Sequence, residues 1–359
     1  DLSSRLPSKS LYKHHSTKAY FSYPFSQNQF QIGYLGTQPS RLIGTLHLRY
    51  PSSSPLLTDK IELMFIGKEY IQWTEVKKSA NQNIKICEIS IILWESSVKG
   101  LYQEITELDL PFEIELPDDL PSSLKFNKPA KSKISYKISA KIFRPIKLLK
   151  SQYGTKKIEI RCPIKRWSLP VCTDTDIYSS PMNSMIRTSG PSAKGVECEI
   201  MLEKTSFGIE STIFVPIRLI LNNMKVYVKK IYISLKEYHQ LVVKQTTNIY
   251  SKDLIKDEVF GDQVMLVCGT LNEYAIKLKM DLNKVKKPIV CSFRDEHVVV
   301  WHKIKLMIVL NNAPAISFEK EIKIGYIISE EDAISIAEDR WDNIYYYESI
   351  KDDKLSARA

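Results

Sequence analysis

The sequence predicts an all-β protein: two immunoglobulin-like β-sandwich domains in tandem, followed by a short C-terminal helix. Three observations carry this. Apolar and polar residues alternate with period two in many short runs, the signature of half-buried antiparallel strands. Pro, Gly, Asp and Ser punctuate these runs, and no strand–helix–strand rhythm appears. One long polar stretch divides the chain into two such blocks. With 359 residues, 43% hydrophobic and 26% charged, the chain has the length and balance of two ordinary globular domains.

Residues 1–17 (DLSSRLPSKSLYKHHST) are polar and aperiodic and read as a disordered N-terminal tail. The first sandwich is expected over 18–167. Its clearest strand is 134–142, where Ile134, Tyr136, Ile138, Ala140 and Ile142 alternate with Ser135, Lys137, Ser139 and Lys141. Ile61, Leu63 and Phe65 share a face in another. The run 84–94 is apolar on both faces near its end, as expected for a strand in the centre of a sandwich. Pro51 to Pro55 and Pro117 to Ser123 carry turn chemistry, since Pro lacks a donor and Asp and Ser bond locally to backbone.

Residues 168–195 (SLPVCTDTDIYSSPMNSMIRTSGPSAKG) read as a linker or long loop. Alternation resumes in the second sandwich, expected over 196–329. Cys198, Ile200 and Leu202 form one face, then Ile231, Ile233 and Leu235, then Ile304, Leu306, Ile308 and Leu310. Over 330–359 a short helix and a tail are expected. Ser329 followed by Glu330, Glu331 and Asp332 matches a helix N-cap with an acidic first turn. Ile334, Ala337 and Trp341 follow at helical spacing.

Composition and missing motifs narrow the function. No run of about 18 uncharged apolar residues could cross a bilayer. The chain opens at Asp1, which reads as a fragment boundary, and no basic-then-apolar signal segment opens it. The six cysteines form no C-x-x-C pair and mostly sit in apolar runs. That pattern suits reduced, buried thiols in the cytosol. Neither a phosphate-cradling glycine loop nor a nucleophile elbow is present. His297 and His302 stand five apart in a strand-like run and should point to opposite faces, which is wrong for a shared metal. Asp118-Asp119 and Asp352-Asp353 read as solvated turn or tail residues. Trp73, Trp94, Trp167 and Trp301, with Phe112 and Tyr136, read as packing residues. The reading therefore assigns no catalytic residue, no cofactor and no metal.

The net charge of +10 favours acidic partners. Lys141, Arg144, Lys147, Lys150, Lys156, Lys157, Arg161, Lys165 and Arg166 put nine cations within 26 residues, with Glu159 the sole acid among them. Such donor density suits phosphate or carboxylate contacts, so these residues are the candidate binding set, although charge runs are commonly just solvated faces. Nucleic acid is disfavoured, because no aromatic-basic interleaved strand is visible.

The order of motifs resembles the arrestin superfamily, in particular the α-arrestins. Residues 41–48 (RLIGTLHL) look like the family's early strand, followed by 61–67 (IELMFIG) and Trp73. Residues 110–117 (LPFEIELP) with 120–123 (LPSS) look like its "fpFxxxlP…lPsS" segment, followed by the strand bearing Tyr136. Residues 158–161 (IEIR) resemble the strand closing the first domain. Phe207-Gly208, leading to Ile213, Val215, Ile217 and the Leu221-Asn222-Asn223 turn, resembles the opening of the second. Residues 297–305 (HVVVWHKIK) look like the family's "ixVxHxlxV" strand, with His302 at its His.

Across about 18–329 the resemblance implies the arrestin fold and a non-catalytic adaptor. It would bind cytosolic tails of membrane proteins, whether transporter or receptor, and link them to ubiquitination, endocytosis and intracellular trafficking. It also implies a WW-domain HECT ubiquitin ligase as partner, a contact with anionic lipid, and a cytoplasmic protein held peripherally at plasma membrane or endosomes. One departure matters: α-arrestins recruit the ligase through P-P-x-Y, and this sequence has no adjacent prolines and no P-x-Y. The alternatives are a structural subunit of a trafficking coat, like the arrestin-fold component of retromer, or a signalling scaffold.

Overall fold

The alternation at 134–142 lies inside a strand that organises the first half of the chain. A computed structural model describes residues 6–12, 16–24, 27–75, 78–98, 100–126, 131–145, 153–169, 196–200, 202, 204–223, 225–243, 246–260, 273–329 and 331–336. Two-thirds of them lie in β-strands and few are helical. The chain divides into two compact units, Asp1–Trp167 and Ser168–Ala359. The stretch 170–195, read as linker, lies outside the described residues.

In the first unit the strands are β1 (Ala19–Ser22), β2 (Gln31–Ile32), β3 (Ser40–Arg49), β4 (Leu56–Thr58), β5 (Lys60–Glu75), β6 (Lys78–Glu95), β7 (Gln103–Ile105), β8 (Glu107–Leu116), β9 (Leu124–Phe126), β10 (Lys131–Pro145) and β11 (Tyr153–Arg161). They build one sheet in which β3 pairs with β1, β2 and β8. The other has the order β11-β10-β5-β6, with β9 also on β10, and β4 and β7 form a small ribbon. Leu42, Leu46 and Leu48 of β3 and Phe112, Ile114 and Leu116 of β8 turn inward. So do Ile61, Leu63 and Phe65 of β5 and Ile134, Tyr136, Ile138, Ala140 and Ile142 of β10. Inward rows of this kind on two sheets form a sandwich core.

Tyr136 ties several of these pieces together. It stands opposite Gly67 on β5, stacks on Phe65 with ring centroids 5.5 Å apart, and donates its hydroxyl proton to the Pro121 carbonyl at 2.7 Å. The turn bearing Asp118-Asp119 and the LPSS segment is thereby held against the sheet, and the Cys162 N–H returns to the Tyr136 carbonyl.

Two expectations fail in this unit. The segment 1–17 is not tail throughout. Lys9–Leu11 form a 3-10 turn, Tyr12 bridges Ile160 of β11, and the Tyr12 hydroxyl both donates to the Phe21 carbonyl (3.0 Å) and accepts from its N–H (2.9 Å). One tyrosine with two backbone partners anchors a segment that shows no periodicity. The run 84–94 is not central either: β6 is an edge strand. Its inward residues Ile89, Ile91 and Trp94 are only half-buried, whereas their β5 partners Phe65, Leu63 and Ile61 have no exposed surface. An apolar edge strand and an apolar central strand have the same period, so composition misled.

After β12 (Trp167–Ser168), the second unit contains β13 (Val196–Ile200), β14 (Ser206–Gly208), β15 (Thr212–Leu221), β16 (Val228–Val243), β17 (Thr246–Phe260), β18 (Glu273–Asp281), β19 (Phe293–Arg294), β20 (Val298–Leu310) and β21 (Ile316–Ile327). One sheet has the order β13-β15-β18. The larger contains β21-β20-β16-β17, with β19 on β20 and the short β14 running parallel to β21. A single apolar cluster joins Cys198, Ile217, Leu219 and Leu278 of the small sheet to Ile231, Ile233, Leu306 and Phe318 of the large one. This second unit is therefore also two mainly antiparallel sheets around one core.

Residues 331–336 are helical. The Ser329 hydroxyl accepts from the Asp332 N–H at 3.1 Å, as its capping role requires. The helix buries Ala333 and Ile336 and leaves Ile334 57% exposed, so its inward face is one position out of phase with the expected one. Ala337 and Trp341 lie outside the described residues. Among the described residues no helix is long and apolar enough to cross a membrane.

Candidate functional site

Strand alternation sorts the nine candidate cations. β10 and β11 pair so that Lys141 faces Lys157 and Lys137 faces Arg161. Because Ile138, Ile142, Ile158 and Ile160 point into the core, Lys141, Lys157 and Arg161 project from the outer face. Lys156 has the inward phase and lies at the rim, where it donates to the Tyr50 hydroxyl at 2.8 Å and sits 5.1 Å over that ring. Arg144 is exposed near the end of β10. The Lys165 backbone is held by the Gln31 side chain at both its N–H and carbonyl. The Arg166 guanidinium folds onto the Asp118 and Leu120 carbonyls. Lys147 and Lys150 lie outside the described residues. The structure thus brings Lys141, Lys157 and Arg161 to one face and sets Lys156, Lys165 and Arg166 apart from them.

That face gains cations the linear reading missed. Lys137 is opposite both Arg161 and Ile66, Lys68 of β5 is opposite Ser135, and Lys125 of β9 is opposite Lys133. A recess of about 300 Å³ lies here, lined by Leu11, Ile66, Lys68, Lys133, Lys137 and Arg161 among others. Lys137 and Lys157 are both taken by Glu159, at 2.6 and 2.7 Å. Burial pushes the Glu159 carboxyl up, but hydrogen bonds from these two lysines outweigh it and hold it at about 2. Lys141 lies 4.0 Å from Glu62.

Lys68, Lys133 and Arg161 differ: none forms an ion pair within 4 Å among the described residues. Lys133 is held below the usual lysine range, first by desolvation and then by Arg161 and Lys125. Cations that repel one another beside a small hydroxyl residue, Ser135, leave a seat that an anion would neutralise. Sequence distance hid this cluster, because its members come from three strands and its geometry depends on register.

A second polar constellation is buried in the other unit. Extending the phase of Ile231, Ile233 and Leu235 along β16 points Glu237 and His239 inward. Glu237 and His302 have no exposed surface, and His239 has 4%. The Glu237 carboxylate accepts from the Val290 N–H (2.9 Å) and pairs with Lys252 (2.7 Å), with His239, and with His302 Nε2 at 3.4 Å. His302 Nδ1 contacts the Ser292 hydroxyl at 2.9 Å, and that oxygen also accepts from the Ile324 N–H. Burial pushes the Glu237 carboxyl up, but His239, His302 and Lys252 outweigh it and hold it well below the usual carboxylate range. For His302, burial wins over Glu237 and lowers it.

Ser, His and Glu in contact have the composition of a nucleophile relay. Here the serine oxygen is already engaged by backbone, and the imidazole has no exposed surface through which to serve a substrate. The arrangement works as a buried, hydrogen-bonded core network. The sequence signal was available, since a Glu and a His in the inward phase of an otherwise apolar strand require buried partners. His297 is only half-buried and in the opposite phase, and no group of three metal-ligating side chains occurs among the described residues.

The packing aromatics divide similarly. Phe112 and Tyr136 are buried. Trp94, Trp167 and Trp301 are half-buried, and Trp301 stacks on Tyr238 on an outer face, 5.2 Å between centroids. The Trp73 side chain lies outside the described residues.

No protein-family model matches the chain, and no curated protein does.

Proposed function

We propose that this chain is a non-catalytic adaptor of the arrestin type, which captures acidic or phosphorylated cytosolic tails of membrane proteins. The observation that carries the reading is the set of uncompensated cations Lys68, Lys133 and Arg161 around Ser135, beside the apolar wall of Leu11 and Ile66. A phosphorylated side chain would supply the missing charge, and its neighbouring residues would lie along the sheet. Tandem two-sheet units fit an arrestin fold, and the motif order along 18–329 supplies the rest of the reading. On that reading the bound tail is passed to ubiquitination and endocytosis at plasma membrane or endosomes. On that reading a WW-domain HECT ubiquitin ligase is a partner, although residues 1–359 carry no P-P-x-Y.

The test is fluorescence anisotropy with one acidic peptide in phosphorylated and unphosphorylated forms, at low and physiological salt. The phosphorylated form binds more tightly, and K133E/R161E weakens it roughly tenfold or more. Equal affinity of the two proteins for the phosphopeptide at low salt would remove the groove from the account.

A further inference from the structure

Between the 3-10 turn Leu282–Lys284 and β19, residues 285–292 form no regular element. Three side chains of the large sheet fasten this segment. The Glu237 carboxylate accepts from the Val290 N–H at 2.9 Å, Lys252 donates to the Pro288 carbonyl at 3.0 Å, and His302 Nδ1 meets the Ser292 hydroxyl at 2.9 Å. Lys252 is itself paired with Glu237, and His302 Nε2 faces the same carboxylate. One buried carboxylate therefore stands behind all three fastenings. Backbone bonding of Ser292 to Ile324 and the two-residue β19 ladder add to them.

The hydrogen-bond network assigns the His302 tautomer. The Ser292 oxygen accepts from the Ile324 N–H, so its own proton is directed to Nδ1. The imidazole proton then sits on Nε2 and points at Glu237. With that proton on Nδ1 instead, Nε2 and the carboxylate would face each other as two acceptors. A second proton can enter only at Nδ1, where it drives the hydroxyl hydrogen out of the bond. Forming the imidazolium thus undoes the Ser292 fastening.

The Glu237–His302 pair also marks a boundary in the second unit. The apolar cluster of that unit includes Leu235 and Ile304, the inward residues next to the pair on one side. Leu241, Val298 and Val300, buried on its other side, are not part of it. Of the segment, the half-buried Ile289 packs on the cluster. Release of the segment therefore leaves the cluster whole. Pairing of β21 with β20 stops at His302, and β19 covers Val299 and Val300 of β20 in its place.

We propose that His302 makes this segment acid-releasable: its protonation frees residues 285–294 and bares the edge of β20 at Val299 and Val300, while the clustered core stays folded. The titratable groups facing His302 are Glu237 and His239 of β16 and Lys252 of β17. Cys291 faces Glu237 from the segment itself, and Tyr326 of β21 faces Cys291. Burial holds His302 below its ordinary 6.5 while the segment is closed, and release returns it towards that value. The open form is therefore favoured as pH falls beneath about 6.5, by roughly tenfold at about pH 5.5.

Hydrogen exchange of the full chain, read by mass spectrometry of its peptides and corrected for the intrinsic rate at each pH, tests this. From about pH 7.5 to about pH 5.5, peptides covering 285–300 should lose protection roughly tenfold, while those covering 213–221 and 231–235 keep theirs. His302→Gln, which takes up no proton, should abolish the response. Ser292→Ala, which leaves the carboxylate and both imidazoles in place, should speed exchange across 285–294 already at neutral pH. Circular dichroism confirms that each variant is folded, and the wild-type and Ser292→Ala arms decide the matter if His302→Gln is not. Protection of 285–300 that does not change with pH overturns the proposal. So does a loss shared by the whole second unit, which is global unfolding, or a response that persists in His302→Gln, which gives the proton to His239. Wild-type protection in Ser292→Ala at neutral pH overturns it as well.

Discussion

Glu237 and His302 stand directly opposite one another on β16 and β20, and neither has any exposed surface. An ionised carboxylate at such depth persists only because Lys252, His239 and the Val290 N–H also reach it. Glu237→Gln keeps the shape and removes the charge, leaving Lys252 without its carboxylate. The expected loss is about 3 kcal/mol, read from the midpoint of urea unfolding.

The same pair sets the acid limb of stability. His302 titrates below its ordinary 6.5 in the folded chain. As pH falls beneath about 6.5, the unfolded chain therefore binds a proton that the folded chain refuses, and stability drops. Glu237, held below its ordinary 4.5, acts in the same direction at lower pH. Its contribution is complete above the unfolded value and is lost as pH falls towards the folded one. Urea unfolding across pH 7 to 5 should show declining stability, and His302→Gln should flatten that slope. An unchanged slope would mean that His302 is not the group responsible.

Gly67 leaves the space that the Tyr136 ring occupies. A Cβ built at 67 would lie 2.6 Å from the ring and 2.8 Å from the Cys87 sulfur. Neither neighbour can withdraw freely, because Tyr136 is pinned by Pro121 and stacked on Phe65. Gly67→Ala should cost about 1–3 kcal/mol through overpacking, measured by thermal or urea unfolding. Tyr136→Phe/Gly67→Ala should cost less than the sum of the two single changes, since freeing the ring relieves the clash.

Tyr12→Phe removes both hydrogen bonds to Phe21 and keeps the ring. Burial pushes this hydroxyl up to about 12, so it stays a donor throughout the accessible pH range. The global loss should be about 1–2 kcal/mol. Amide exchange should accelerate first at Leu11 and Tyr12, whose N–H groups close the 3-10 turn onto Ser8 and Lys9. Leu11 forms a wall of the cationic recess, so phosphopeptide affinity should fall in the same variant.

Association at the recess should weaken steeply with salt, because Lys68, Lys133 and Arg161 lie at the surface within reach of counterions. Peptide affinity measured from low to physiological ionic strength should decline for the wild-type chain and much less for K133E/R161E. Parallel slopes would assign the salt effect to other lysines.

Legibility from sequence followed the range of the interactions involved. The strand at 134–142 was plain because its two faces differ at every residue, and Ser329 announced the helix through local capping chemistry. β6 was misplaced because period and composition do not distinguish a covered apolar strand from an uncovered one. The tail reading failed at Tyr12 because one hydroxyl, nine residues from its partner, does the anchoring. The basic run at 141–166 was visible, but only register could add Lys68 and Lys133 and remove Lys156. The Glu237 network was half visible: phase marks Glu237 and His239 as inward, while the approach of His302, Lys252 and Ser292 is a matter of topology.

The short parallel pairing of β14 with β21 joins Phe207 to Ile324, the first part of the second unit to the last. During synthesis, the sheet to which β14 belongs cannot close until Ile324 has cleared the ribosome. Until then Phe207 and the apolar rows of β15 and β16 must wait for their final neighbour. The nascent second unit is therefore the period of greatest exposure to chaperones and to misassembly, and a ribosome stalled before residue 324 should hold it unfinished while the first unit has every strand it needs.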